Sequence, residues 1–476
     1  MVALGGVAVY LGWLSLPWPL IHDAPIMHYI AWRIGEGAVP YRDVFDMNFP
    51  GVYLVHLGVL RTLGAEDAGW RIFDLAWLAL TSALVAALAA RWGRLAAAGG
   101  ALFFAAYHLG GGAWQAGQRD FILCAFLLAG ALGVSLAIER GRPGALVLGG
   151  AALGAGLTIK PHAIVFAAAL LVLVALAPPG GSSRLAAAGV FAAGLAVVPV
   201  AVGLWLAMVG GLGPWREIVF GYLLPLYSRL GRSASWVVYR WALWPAIALV
   251  LALTLGHALA EGRFTIRRAV AVIGLAYGLT HFVGQGKGWE YHLYPLAAFA
   301  GVLLFSEVDA LVAARRRIVA AALLAGLAAL VVVLAVTGAK TAEATWIWDK
   351  ERVVRLLTVD LQHRVRPGDT VQVLDTTDGG IHALLRAGVA EPTRFVYDFH
   401  FFHDTESPVV RALRAELLSG LDRRPPRYVV VFRHAWPVGG YERLDGFPEL
   451  RRLLTDRYVL DVERPTYTIH AHRGGP

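Results

Sequence analysis

The sequence predicts an all-α polytopic membrane domain over residues 1–340, with about eleven transmembrane helices, followed by a C-terminal soluble α/β domain over 341–476. Three observations carry this. Of 476 residues, 58% are hydrophobic and 16% charged, with mean hydropathy +0.59; soluble globular proteins average about 45–50% apolar and about 25% charged. Charge is also unevenly divided. Residues 1–340 hold 23 Lys+Arg and 14 Asp+Glu, whereas 341–476 hold 19 of each. Finally, apolar stretches approaching the roughly 20 residues needed to cross the hydrocarbon core recur along the first part.

The predicted spans lie near 2–21, 69–90, 95–112, 121–138, 143–159, 162–177, 185–209, 241–260, 267–284, 289–306 and 318–338. The first lacks a basic start and a small-residue cleavage site, so it reads as a helix rather than a signal peptide. Orientation follows from Lys and Arg in short connections. With the N-terminus in the cytoplasm, Arg91, Arg94, Arg140, Arg142, Arg184, Arg263, Arg267, Arg268, Arg315, Arg316 and Arg317 fall inside, opposed by Glu139, Glu261, Glu307 and Asp309. Segments 22–68, 210–240 and the tail then face outward. The basic balance is thereby explained without nucleic acid, and no basic-aromatic surface pattern suggests it. The single Cys124 excludes a disulfide framework within the chain. There is neither a Walker-type loop nor an H-E-x-x-H zinc motif.

The first external loop is patterned. Asp23 stands at an N-cap, Pro25 follows, and Ile26, Ile30 and Ile34 repeat until Gly35, which predicts a short amphipathic helix with one apolar stripe. A second helix is signalled by Asn48 as cap, Pro50 in the first turn and Gly64 as terminator. Asp43 and Asp46 lie between the two.

A first span ending in an acidic residue, two juxtamembrane helices joined by Pro40-Tyr-Arg-Asp43 and closed by Asn48-Phe-Pro-Gly51 resemble the GT-C glycosyltransferases. The likeness is to bacterial members related to protein O-mannosyltransferases and to the lipid A aminoarabinose transferase. It continues in the glycine-rich Gly156-Leu-Thr-Ile-Lys-Pro-His-Ala163 and in Gly284 to Phe299, similar to the late Y-H-x-x-P helix of those enzymes. Where the family often has an acidic pair after span one, this chain has His22-Asp23. The resemblance implies sugar transfer from a polyprenyl-phosphate donor to an acceptor hydroxyl at the outer face of a bacterial inner membrane. The acceptor (protein, lipid or polysaccharide) stays open.

Such chemistry needs a carboxylate for the acceptor proton, cations for the departing phosphate, and a groove for the lipid. Asp23 is the expected base, although a plain helix cap is its structural alternative. Asp43 and Asp46 are expected helpers at the acceptor. The residues establish no cofactor with certainty. A divalent cation stays open, with Asp23 and Asp46 as ligands if one is bound. Lys287, Arg119 and Lys160 are the expected phosphate contacts, because charge near membrane depth marks function or pairing. Asp120 and His162 complete the set at that level. Lys287 and Tyr291, four apart, are read as sharing a helix face, with Glu290 and His292 as a substrate-contact pair. For residues 210–240, with Arg216, Arg229 and Arg232, the resemblance implies a loop that closes over the donor; anchoring at the membrane interface is the alternative.

The alternative is a multi-span transporter or flippase for lipid-linked saccharides, which would set its charges midway through the spans and show repeat symmetry. In the tail, strands are expected at 370–374, 394–397, 427–432, 458–462 and 466–469. Helices are expected at about 347–363, 379–387, 407–421 and 447–456. The H-x-x-H in Asp398–Asp404 is a weak metal signal.

Overall fold

A computed structural model describes residues 1–231, 244–313, 317–342, 345–434, 436 and 439–474. Arg232, Tyr239, Arg240, Arg315 and Arg316 lie outside the described residues. The bundle comprises α1 (Val2–Ser15), α4 (Asp67–Ala89), α5 (Arg94–Gly110), α6 (Arg119–Arg140), α7 (Gly144–Ile159), α8 (Ala163–Leu176), α9 (Arg184–Met208), α11 (Trp244–Ala260), α12 (Ile266–Gln285), α13 (Tyr294–Leu304) and α15 (Arg317–Ala342). Between them lie the juxtamembrane helices α2 (Ala24–Gly35) and α3 (Pro50–Leu63), and the short α10 (Leu212–Ile218) and α14 (Val308–Ala313). Among the described residues, six helical stretches are long and apolar enough to cross a membrane by length and composition. Val2–Ser15, Gly144–Ile159, Ala163–Leu176 and Trp244–Ala260 are shorter apolar helices. The chain is a multi-pass membrane protein.

Two predicted spans are corrected at their ends. The first helix stops at Ser15 because Pro17 and Pro19 follow and neither offers an N–H. The span expected at 289–306 begins as a regular helix only at Tyr294, after a 3₁₀ turn over Glu290–Leu293. From there α13 runs through the centre of the bundle with every residue buried.

The glycines of α7 admit its neighbours. Gly149 faces the backbone of α6, where a Cβ would lie 3.1 Å from the Gly130 carbonyl oxygen. Gly150 faces α9, and a Cβ there would lie 2.5 Å from the Phe191 carbonyl oxygen and 2.8 Å from the Leu195 nitrogen. Backbone cannot yield as a flexible side chain can. Gly150→Ala is therefore expected to destabilise the bundle by about 1–3 kcal/mol or more, read as a lowered unfolding midpoint in detergent; an unchanged midpoint would contradict this packing.

At the end of the bundle opposite the juxtamembrane helices, ion pairs tie the loops. Glu307 accepts from Arg268 at 2.5 Å and Arg263 at 2.5 Å, Arg267 pairs with Glu139 at 2.7 Å, and Asp309 accepts the Ala96 N–H at 3.0 Å.

The tail begins with α16 (Thr345–Gln362) and builds a four-stranded sheet, ordered β1-β2-β4-β3, from β1 (Val371–Leu374), β2 (Tyr428–Phe432), β3 (Tyr458–Glu463) and β4 (Tyr467–His472). β1 and β2 are parallel and the other pairs antiparallel, with Val430 opposite Ile469. Helices α17 (Gly380–Ala387), α18 (Pro408–Arg423) and α19 (Pro448–Arg457) connect them. Residues 394–397 do not join the sheet. Phe395 instead bridges Phe45 of the first loop, whose N–H donates to the Arg394 carbonyl at 2.6 Å. The tail shares one apolar core with α2 and α3. Consequently α2 is buried on all sides over Ala24–Ala31, between α3 and α17, rather than showing a single apolar stripe.

Candidate active site

A cavity of about 700 Å³ lies where the first loop, the ends of α6, α7 and α12, residues 215–228 and the tail converge. Asp23, Arg119, Lys160, His162, Lys287, Tyr291 and His292 all line it. Four sequence-distant segments thus deliver these polar side chains to one hollow.

Asp23 reaches it through a sharp turn. His22 adopts φ +65°, a left-handed conformation that turns the chain from α1 into α2. Asp23 occupies the N-cap position but makes no side-chain capping bond. Its carboxylate instead binds His22 Nδ1 at 3.2 Å and accepts from Arg119 Nη2 at 3.0 Å. Burial would raise the Asp23 carboxyl, but the His22 hydrogen bond and the Arg119 guanidinium outweigh it and hold it well below the usual carboxylate range. Asp23 is therefore ionised at neutral pH.

Arg119 opens α6 after a turn through Gly112 and Gly117, both at positive φ. The Gly117 N–H donates to Asp74 Oδ1 at 2.7 Å, which fixes the turn two residues ahead of the guanidinium. Lys160 ends α7 because Pro161 follows. Its ammonium lies 3.1 Å from Asp120 Oδ2 and 3.3 Å from Gln285 Oε1. Asp120 does not line the cavity. It is buried beneath it, with Oδ1 2.6 Å from His281 Nε2, and so it orients Lys160 rather than facing a substrate. Burial and the neighbouring Lys160 push His162 down to about 4, leaving a neutral imidazole at pH 7.

Lys287 is not on the helix with Tyr291. Gly286 and Gly288 adopt φ of +59° and +65°, which ends α12 at Gln285 and puts Lys287 in the following loop. Its ammonium sits 4.2 Å above the Tyr227 ring and donates to the carbonyls of Tyr227 (3.0 Å) and Leu230. Glu290 accepts from Gln115 Nε2 at 3.4 Å and is not among the lining residues, so it does not pair with His292 at the cavity.

Asp43 and Asp46 stand apart from the cavity. Asp43 closes its own turn by accepting the Val39 N–H at 2.8 Å and pairing with Arg42. Asp46 is buried and accepts from Tyr53 (2.5 Å), Asn48 (2.9 Å) and the Met47 N–H (2.8 Å). Asn48 serves Asp46 and is not the helix cap; Phe49 holds that position. Among the described residues, the side chains that gather like metal ligands are Asp120, His281 and His292, not Asp23 with Asp46.

Several cavity residues carry no sequence signal for a site. Trp215, Val219, Phe220, Leu223 and Leu224 form an apolar flank. Thr376, Thr377, Tyr397, Phe399 and Trp436 form a roof from the tail. Asp375 shapes that roof by accepting the N–H groups of Asp378, Gly379 and Gly380 at 2.8–3.0 Å. The H-x-x-H of the tail is a lock: the Tyr222 hydroxyl bridges His400 Nδ1 (2.8 Å) and His403 Nε2 (2.7 Å), while Asp398 pairs with Arg443.

Residues 50–205 match the family model of dolichyl-phosphate-mannose-protein mannosyltransferase. Comparison by sequence with curated proteins finds no match. The fold is similar to that of ArnT from Cupriavidus metallidurans bound to undecaprenyl phosphate. The TM-score is 0.65 and the identity 14%, with 100% of this chain and 99% of that one covered. ArnT in the apo state gives 0.63, again at 14% identity, covering 99% and 97%. The oligosaccharyltransferase of Archaeoglobus fulgidus, tethered to an acceptor peptide, gives 0.51 at 14% identity, over 90% of this chain and 69% of that one. The chain thus shares a family-model match over residues 50–205 with the mannosyltransferases and a full-length fold similar to that of ArnT.

Proposed function

We propose that this protein is a membrane glycosyltransferase that moves a sugar from a polyprenyl-phosphate donor to an acceptor hydroxyl on the extracytoplasmic side of a bacterial inner membrane. The observation that carries the reading is the single cavity uniting Asp23 with Arg119, Lys160 and Lys287 beside an apolar flank. The flank receives the isoprenoid tail and the cations receive the phosphate. The Thr376, Thr377 and Trp436 roof, with the rest of 341–476, faces the acceptor. Undecaprenyl phosphate bound to ArnT supports a carrier of this class.

The reaction is a single displacement with inversion. The acceptor oxygen bonds to the anomeric carbon as the bond from that carbon to the phosphate oxygen breaks, releasing polyprenyl monophosphate. The acceptor proton passes to Asp23. Arg119 pairs with Asp23 in this structure, and a carboxylate so paired is a weak base. Proton transfer therefore comes late, when the acceptor oxygen has become strongly acidic. The phosphate gains charge as it departs, and Arg119, Lys160 and Lys287 favour that dianion over the bound donor. Asp23, Arg119, Lys160 and Lys287 gather at one end of the bundle rather than midway along it, which supports a transferase over a transporter.

Purified protein offered a panel of polyprenyl-phosphate sugars is expected to transfer at least one of them. Folded protein that transfers none would overturn the proposal.

Lys287 supplies a pH test. Burial, with repulsion from Lys160, pushes its ammonium down to about 8. It is charged below that pH and neutral above, so kcat/KM for the donor is expected to fall as pH rises through about 8. Lys287→Arg, whose guanidinium stays protonated, is expected to abolish this alkaline limb. A limb that survives the substitution would assign it elsewhere.

A further inference from the structure

We propose that Asp120, His281 and His292 form a binding site for one divalent transition-metal ion of the zinc type, beneath the floor of the cavity. The three side chains come from the first turn of α6, the last turns of α12 and the 3₁₀ turn before α13. They are buried, and each offers a ligand atom within 4.8 Å of the others.

The hydrogen bonding around His281 Nε2 is crowded, because Asp120 Oδ1 and the Gln285 amide both lie within hydrogen-bond distance of that one nitrogen. Lys160 donates to Gln285 Oε1, so the Gln285 amide nitrogen, 2.8 Å from His281 Nε2, must be a donor to it. An unprotonated Nε2 then faces Asp120 Oδ1 at 2.6 Å, acceptor against acceptor. A proton on Nε2 repairs that contact but points N–H at N–H. Turning the amide over sets its NH₂ against the Lys160 ammonium. A proton on Asp120 is opposed by the same ammonium, 3.1 Å from Oδ2. A metal ion ligated by Oδ1 and by unprotonated Nε2 removes the conflict between those two atoms. His281 Nδ1 lies 3.4 Å from the Tyr277 hydroxyl, a partner that holds the required tautomer.

His292 is the second, independent observation. It is 2% exposed, yet neither of its ring nitrogens has a hydrogen-bond partner. A buried polar atom without a partner is destabilising, and a metal bond would satisfy one of these. Two imidazoles with one carboxylate are a donor set suited to zinc, and three protein ligands leave a fourth position open. Because His292 also lines the cavity, that position faces it. Lys160 stays on the other carboxylate oxygen, orienting the ligand while repelling the ion. The site stands or falls separately from the glycosyltransferase reading, since its test measures binding.

The full chain in detergent, stripped with chelator, is titrated with Zn²⁺ and its metal content measured; Co²⁺ loading gives a visible absorption spectrum that reports the ligands. The expected result is one Zn²⁺ per chain. His281→Gln and His292→Phe are each expected to weaken binding at least about 10-fold, the scale seen for damage to metal sites. His292→Phe breaks no hydrogen bond of the protein and keeps the ring volume, so it keeps the test decisive if His281→Gln does not fold. Lys160→Met is expected to tighten Zn²⁺ binding, a direction that general destabilisation does not produce. Failure of the wild type to take up stoichiometric Zn²⁺ would overturn the site. So would uptake that both histidine variants leave unchanged.

Discussion

Asp23→Asn is expected to lower kcat for sugar transfer by about 10²–10⁴-fold, the usual contribution of a positioned general base, while KM for the donor stays the same or falls. The size of the effect follows from what the carboxylate does and does not do in the fold. It makes no capping bond to α2, so the helix does not depend on it. Its contacts are to His22 and Arg119, both at the cavity. Asparagine keeps the shape and a carbonyl acceptor for Arg119 but cannot take the acceptor proton. It also releases the guanidinium from an ion pair, leaving it freer to meet the donor phosphate. A structural role would give the opposite pattern, with a lower unfolding midpoint and a higher KM. Steady-state transfer with the donor varied, beside a thermal unfolding curve, separates the two. Full turnover by the variant removes Asp23 as the base.

Asp23, Arg119, Lys160 and Lys287 are legible in the sequence for one reason: ionisable groups at the ends of apolar helices are conspicuous and costly, so each asks for an explanation. Their partners are not legible. His281 sits in the last turns of an amphipathic helix, where nothing in its spacing separates it from a core histidine. Thr376, Thr377 and Trp436 are ordinary residues in a soluble segment, and only the tertiary fold brings them over the cavity. Asp43 and Asp46 show the converse. Carboxylates in a loop beside a site look functional, whereas here one closes a turn and the other satisfies Tyr53 and Asn48.

The helices follow apolar length and Pro or Gly punctuation, so their existence is legible while their ends are less so. The continuity read through 287–291 fails because two glycines in that stretch take the left-handed region, which a sequence permits without requiring. Residues 394–397 have strand composition and do pair, but with Phe45, some 350 residues earlier. Composition does not encode the partner.

Asp74→Ala is expected to be the most destabilising single change in the bundle, costing about 3–5 kcal/mol, the range for removing one member of a buried ion pair. Asp74 is fully buried. Its Oδ2 pairs with Arg71 and lies 3.0 Å from His108 Nε2, and its Oδ1 accepts the Gly117 N–H at 2.7 Å. Arg71 in turn donates to Ser15 Oγ at 2.5 Å, and His108 Nδ1 lies 2.7 Å from the Tyr294 hydroxyl. One carboxylate thus joins the ends of α1 and α5, the interior of α4, the start of α13 and the turn that presents Arg119. Removing it leaves a guanidinium buried without its counter-charge and a backbone N–H without its acceptor. The loss should also reach the site, because the Gly117 turn immediately precedes Arg119. A raised donor KM is expected in whatever fraction remains folded. Asp74→Asn keeps an acceptor for Gly117 but no charge for Arg71, so it should lower the unfolding midpoint while sparing KM more than alanine does. If Asp74→Ala unfolds at the wild-type midpoint with an unchanged KM, the network neither holds the bundle together nor positions Arg119.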